Sequence, residues 1–201
     1  NLASVEGEIG FAAFASTGIT SISSLGKCTS LANTSSAGQG VFCDCTSLKS
    51  VVIPSTLTSI GGCAFNNDTA LESVTGDLSN VEFIGNRAFS ECSALYFEDL
   101  YLPKLTTLEW NAFYNVGIKK FNAPLLTGLP SGNNLPPLGK ADTLEEVIIP
   151  KVTSLSGNYL FKDFTALRNV VLDDVTSIGY EVFYGCTSLT GEINLPNLTS
   201  L

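Results

Sequence analysis

The sequence predicts an α/β solenoid of about eight stacked coils, with short parallel β-strands on one face and short helical turns or irregular arcs on the other. Three observations predict it. A Phe anchor recurs along the whole chain, at 14, 42, 65, 89, 113, 161 and 183, with Leu138 standing in where one is missing. Around the anchor the same blocks return in fixed order. The composition of the 201 residues, 44% hydrophobic and 14% charged, supplies a buried core to every unit.

The anchor steps are 28, 23, 24, 24, 25, 23 and 22 residues. Self-similarity at such a period marks a stacked-repeat architecture, and the low twenties is the length of a leucine-rich repeat. Each unit opens with Ile-Gly-x-x-Ala/Val-Phe, as at Ile60–Phe65, Ile84–Phe89 and Ile178–Phe183. This block is expected to form the short helical turn or arc. Gly10, Gly61, Gly85 and Gly179 stand where a positive φ or a close backbone approach is needed. Three residues after the Phe begins a second block: Cys45-Thr46-Ser47-Leu48, Asp68-Thr69-Ala70-Leu71, Cys92-Ser93-Ala94-Leu95, Phe164-Thr165-Ala166-Leu167 and Cys186-Thr187-Ser188-Leu189. A strand follows. The apolar positions 48, 51 and 53 recur as 144, 147, 149 and as 167, 170, 172, so these side chains point inward. Pro54, Pro103, Pro124, Pro150 and Pro196 close the strands, because Pro cannot donate to a further rung.

Residues 1–201 read as a single repeat domain. Between Leu125 and Pro137 turn residues accumulate, which predicts a surface excursion in a continuous stack. The register begins and stops in mid-unit without a polar cap, so the native array is expected to extend further or to associate end to end through its uncapped coils.

The combination of Ile-Gly-x-x-Ala-Phe, Cys-Thr-Ser-Leu and Val-x-Ile-Pro resembles the BspA-like leucine-rich repeat family of bacterial, Bacteroides-type surface proteins. The resemblance implies a right-handed curved superhelix, an extracellular or cell-surface location (secreted or anchored to the outer membrane), and adhesion to host or bacterial surfaces. The chain departs from the pattern at Leu138, at Asp68, Val116 and Phe164 in the Cys column, and in a long first coil around Cys28 to Gly40.

Composition excludes much chemistry. There is no His, which removes Ser-His-Asp and Cys-His catalysis and every His-containing metal site. A net charge of −9 without a Lys/Arg cluster argues against nucleic acid, and no apolar run is long enough to span a membrane. No catalytic residue, metal or cofactor is expected. The acid pairs Glu98-Asp99, Glu145-Glu146 and Asp173-Asp174 read as solvated strand-end charges. Cys45, Cys92 and Cys186 share a column in non-neighbouring coils, too far apart to pair, and read as small core residues. A bridge between Cys43 and Cys63 stays open. Asp68-Thr69-Ala70 and Asp142-Thr143-Leu144 resemble bacterial O-glycosylation acceptors but also belong to the repeat.

Binding candidates follow from the columns. The residue between the two inward strand positions faces out: Ser23, Val52, Thr75, Tyr101, Asn122, Ile148, Val171 and Asn194. On a concave strand face, Tyr101, Asn122 and Ile148 form a central patch, continued by Val171 and Asn194. Trp110 and Tyr180 share a column with Gly62 and Asn86, and a column that accepts all four is exposed. The expected function is a non-enzymatic, adhesin-like repeat module that binds a protein. The alternative is a carbohydrate-binding or scaffold module of a larger surface protein, in which Trp110, Tyr101 and Tyr180 stack on sugar.

Overall fold

The computed structural model describes residues 2–130, 138–191 and 193–200. It is a parallel-strand solenoid of about seven turns, one fewer than the eight anchors, because eight anchors bound seven intervals. The fourteen strands among the described residues fall into two columns. The first holds β1 (Glu6–Ile9), β3 (Lys27–Leu31), β5 (Ser59–Ile60), β7 (Phe83–Ile84) and β9 (Thr107–Leu108), paired in that order as one sheet. The same position in later coils supplies β12 (Ser154–Leu155) and β14 (Ser177–Ile178). The second column holds β2 (Ser21–Ile22), β4 (Ser50–Ile53) and β6 (Ser73–Gly76), then a separate sheet of β8 (Tyr96–Tyr101), β10 (Gly117–Asn122), β11 (Glu146–Ile148) and β13 (Asn169–Val171).

The second column is the strand that the apolar alternation predicts, and the positions read as inward are buried: Leu48, Val51, Ile53, Leu144, Val147, Ile149, Leu167, Val170 and Leu172. Pro54 follows β4 directly, and Pro103, Pro124 and Pro150 lie two residues past β8, β10 and β11. From β5 onward the first column, at the step before the glycine, escapes sequence reading because its two-residue strands have no periodicity to detect.

The helical turns are not there: among the described residues there is no helix, and the α/β description is corrected to an all-β one. The reason lies in the arc backbone. In most arcs the residues two before and two after the Phe have positive φ: Cys63 and Asn67 around Phe65, Arg87 and Glu91 around Phe89, Tyr159 and Asp163 around Phe161; around Phe42 only Asp44 does. A helix needs consecutive right-handed residues and N–H bonds four residues back along the chain. Here the N–H groups of Cys63, Phe65 and Asn67 instead donate to the carbonyls of Asn86, Ala88 and Ser90 in the next coil. The N–H groups of Arg87, Phe89 and Glu91 donate in the same way to Trp110, Ala112 and Tyr114. Left-handed backbone costs about 1–2 kcal/mol per residue in an L-amino acid, and this intercoil ladder offsets it.

Inside the arcs the anchor rings stack. Phe14, Phe42, Phe65, Phe89 and Phe113 follow one another at centroid separations of 5.3, 5.3, 5.1 and 5.4 Å, nearly parallel, and Phe161 meets Phe183 at 5.5 Å. The run is interrupted at Leu138, which is fully buried as an anchor should be. Most of the excursion, residues 131–137, lies outside the described residues. At Gly61 and Gly85 the close approach holds and the positive φ does not: a Cβ on Gly61 would strike the Ala32 carbonyl, and one on Gly85 the Gly62 amide.

Candidate binding surfaces

The register of the four-stranded sheet sets Tyr101 opposite Asn122, Asn122 opposite Ile148, and Ile148 opposite Val171. Four of the predicted binding residues therefore form one row. Tyr101 is 54% exposed at its open end, and the other three are half-buried. Val52 pairs with Thr75 in the other sheet of this column, after Ser23, but no ladder joins β6 to β8, so the row is not continuous over all coils. Fitting the repeat at Leu78 and Leu102 places Gly76 opposite the buried Leu100, which leaves Thr75 out of step with Tyr101. Asn194 is exposed and sits in no strand.

Below the row runs a charged strip. Lys119 pairs with Glu98, Lys120 with Glu146 at 3.1 Å, and Arg168 with Glu145 at 3.5 Å, while the Asn169 amide donates to Glu146 at 2.7 Å. The hydrogen bond from Lys119 holds Glu98 below its ordinary pKa. Burial pushes Glu146 up, and the bonds from Lys120 and Asn169 outweigh it, leaving it below its ordinary value. The acid pairs Glu98-Asp99 and Glu145-Glu146 are thus mostly spoken for by neighbouring cations. No group of three or more residues that could hold a metal occurs among the described residues.

The arcs carry the other candidates. Trp110 and Tyr180 are exposed, at 37% and 61%, while Gly62 and Asn86 of the same column are buried and half-buried, and three coils separate the two aromatic residues. Trp110 lines a cleft with Ser35, Asn86, Leu108, Glu109 and Pro130. Tyr180 packs edge-on against Tyr159 at 5.7 Å, and a hydrogen bond to Glu181 raises its hydroxyl pKa. Lys162 lies over the rings of Tyr159 and Tyr184, at 4.7 and 5.0 Å, and its ammonium meets Glu181 at 2.7 Å. Tyr184 was legible: the column after the Phe reads Ala15, Cys43, Asn66, Ser90, Tyr114, Lys162, Tyr184 and varies as freely as the Trp110 column.

All six cysteines are free, so the open Cys43–Cys63 bridge does not form, and the Cys43 thiol donates to Asp44 at 3.2 Å. Cys45, Cys92 and Cys186 each donate a thiol hydrogen bond, at 3.0 Å, to the anchor Phe carbonyl of the preceding coil: Phe14, Phe65 and Phe161. Asp68 occupies the same column, wholly buried. One carboxylate oxygen accepts from the Cys45 amide at 2.8 Å, the other has no partner, and burial pushes its pKa up to about 8. Asp68 is buried beside an exposed Thr69, and the Thr143 hydroxyl is engaged by Ile118 and Lys140.

The model of the BspA-type leucine-rich repeat region matches residues 7–129 and 139–201, in six copies. Among solved structures, a leucine-rich repeat protein of T. pallidum is similar over 84% of this chain and 81% of its own, at 22% identity and a TM-score of 0.58. A leucine-rich repeat protein from Bacteroides ovatus (20% identity, 90% of this chain and 68% of its own, TM-score 0.37) and a leucine-rich cell surface protein from Faecalibacterium prausnitzii (19%, 98% and 77%, TM-score 0.36) are also similar. No curated protein matched. With the three repeat blocks in order over almost the whole length, and the parallel coils they build, the chain belongs to the BspA-type leucine-rich repeat family.

Proposed function

We propose that this domain is a non-enzymatic, surface-exposed binding module that holds a protein partner against the row Tyr101, Asn122, Ile148 and Val171. The observation that carries it is the register: one aromatic, one amide and two aliphatic side chains stand in line across four rigid strands. Exposed tyrosine on a fixed scaffold is a common source of interface energy, since the ring brings large area at small entropic cost. The paired charges below form a polar rim with little net field. Family membership supports a binding role outside the cell, as adhesins to host or bacterial surfaces have, because such repeats are often surface-associated and involved in binding.

Solid-phase binding to host matrix proteins and bacterial cells, with a Tyr101→Ala, Asn122→Ala, Ile148→Ala variant beside the parent, tests this. Saturable binding that falls at least tenfold in the folded variant is expected. Equal binding by parent and variant refutes the proposal.

A further inference from the structure

We propose that a second site, on the arc side and independent of the strand row, takes a neutral pyranose ring of a glycan in the cleft at Trp110. The cleft has a volume of about 410 Å³, within the range of small-ligand sites. Its walls come from the two stretches at which the repeat is broken: Ser35 belongs to the 28-residue first coil and Pro130 to the excursion after Leu125. Ser35 and Pro130 thus border the tryptophan from coils on either side of its own.

The lining divides as a sugar does. The partly exposed Trp110 ring, Pro130 and buried Leu108 are apolar, and the indole touches no other aromatic ring among the described residues. Around them the Trp110 N–H, the Asn86 side-chain amide and the Ser35 hydroxyl have no protein partner among the described residues. Glu109 is fixed by one oxygen, Oε2, which accepts from the Asn86 backbone N–H at 2.9 Å, leaving Oε1 to accept from a ligand. A pyranose offers a face of C–H groups to an aromatic plane and a rim of hydroxyls that both donate and accept. The charge selects among sugars: Glu109 lies in the cleft, no Lys or Arg lines it, and the chain carries −9, so sulfated and uronic sugars are repelled.

The chain contains a single tryptophan, so its fluorescence reads this cleft alone. The intact protein is titrated with tetrasaccharides of β-glucan, β-galactan and α-mannan, and with a sulfated galactan as the charged control. A saturable spectral change with at least one neutral tetrasaccharide and none with the sulfated one is expected. Glu109→Gln weakens binding about tenfold, the loss of one hydrogen bond to a charged group. Calorimetry with that saccharide shows retained binding in Trp110→Phe and none in Trp110→Ala, both with parental circular dichroism. The proposal is overturned by silence with every neutral saccharide, by equal binding in a folded Trp110→Ala variant, or by a spectral change that only a protein partner produces. The strand-row assay makes no use of the tryptophan signal, so either site can fail alone.

Discussion

At the scale of single residues, Asp68 is the most consequential departure from the repeat. Its pKa of about 8 in the fold stands above the ordinary 3.8, so between these values the folded state holds a proton that the unfolded chain releases. Stability is therefore full below about pH 4 and declines as pH rises towards 8, by at most about 1.4 kcal/mol per pH unit. Asp68→Asn keeps the acceptor for the Cys45 amide and removes the titration. Urea unfolding at pH 5, 6 and 7, below the range in which unfolded thiols ionise, should show a parent whose stability falls with pH and a variant whose stability changes little; a parallel fall in both proteins would dismiss the idea. The cysteines make a second prediction: with five buried, Cys186 half-buried and all six thiol pKa values raised chiefly by burial, a thiol reagent at pH 8 labels Cys186 first and the rest only on unfolding. The column of Cys45, Cys92 and Cys186 was legible as core from its spacing. Its bond to the preceding Phe carbonyl was not, because a sequence column shows what fits and not which atom it faces.

At the scale of the element, the arc separates what a pattern can convey from what it cannot. Ile-Gly-x-x-Ala-Phe fixed where the arc lies and that the Phe enters the core, but a three-residue apolar spacing reads equally as a helical turn. Positive φ at non-glycine residues such as Arg87 and Glu91 carries no compositional signature beyond the Asn and Asp found at Asp44, Asn67, Asn111, Asn115 and Asp163. Arg87→Asn is expected to preserve or slightly raise stability, whereas Arg87→Val, a β-branched residue in left-handed backbone, costs about 2 kcal/mol. Thermal midpoints of the two variants decide this; equal values would deny that the backbone conformation matters. The glycine column gives a like contrast. A Cβ meets nothing within 4 Å at Gly10 but collides with backbone at Gly61, so Gly10→Ala stays within about 0.5 kcal/mol of the parent and Gly61→Ala does not.

At the scale of the whole molecule, a break in one strand column is spanned by the other. The second column breaks between β6 and β8, and there β5, β7 and β9 run on unbroken and Phe65 stacks on Phe89. Repeat proteins divide energetically into neighbours and interfaces, and because this interface keeps one unbroken ladder and its stacked rings, the coils on its two sides unfold together. Tryptophan fluorescence at Trp110 and far-ultraviolet circular dichroism should follow the same urea transition; separate midpoints would show that the joint yields independently. The repeat register told of stacking and coil length, but this break arises from a one-residue offset that only coordinates reveal.

The arc ladder also gives the molecule a direction in time. Each arc from Phe14 to Phe89 sends its N–H groups to carbonyls that lie further along the chain. On a ribosome, those acceptors do not exist when the arc itself emerges. With coils of about 24 residues and synthesis at about 5–20 residues per second, each arc waits on the order of 1–5 s for its partner, far longer than a turn needs to form. The nascent array always carries one unfinished coil at its growing tip, and every new coil completes the one before it.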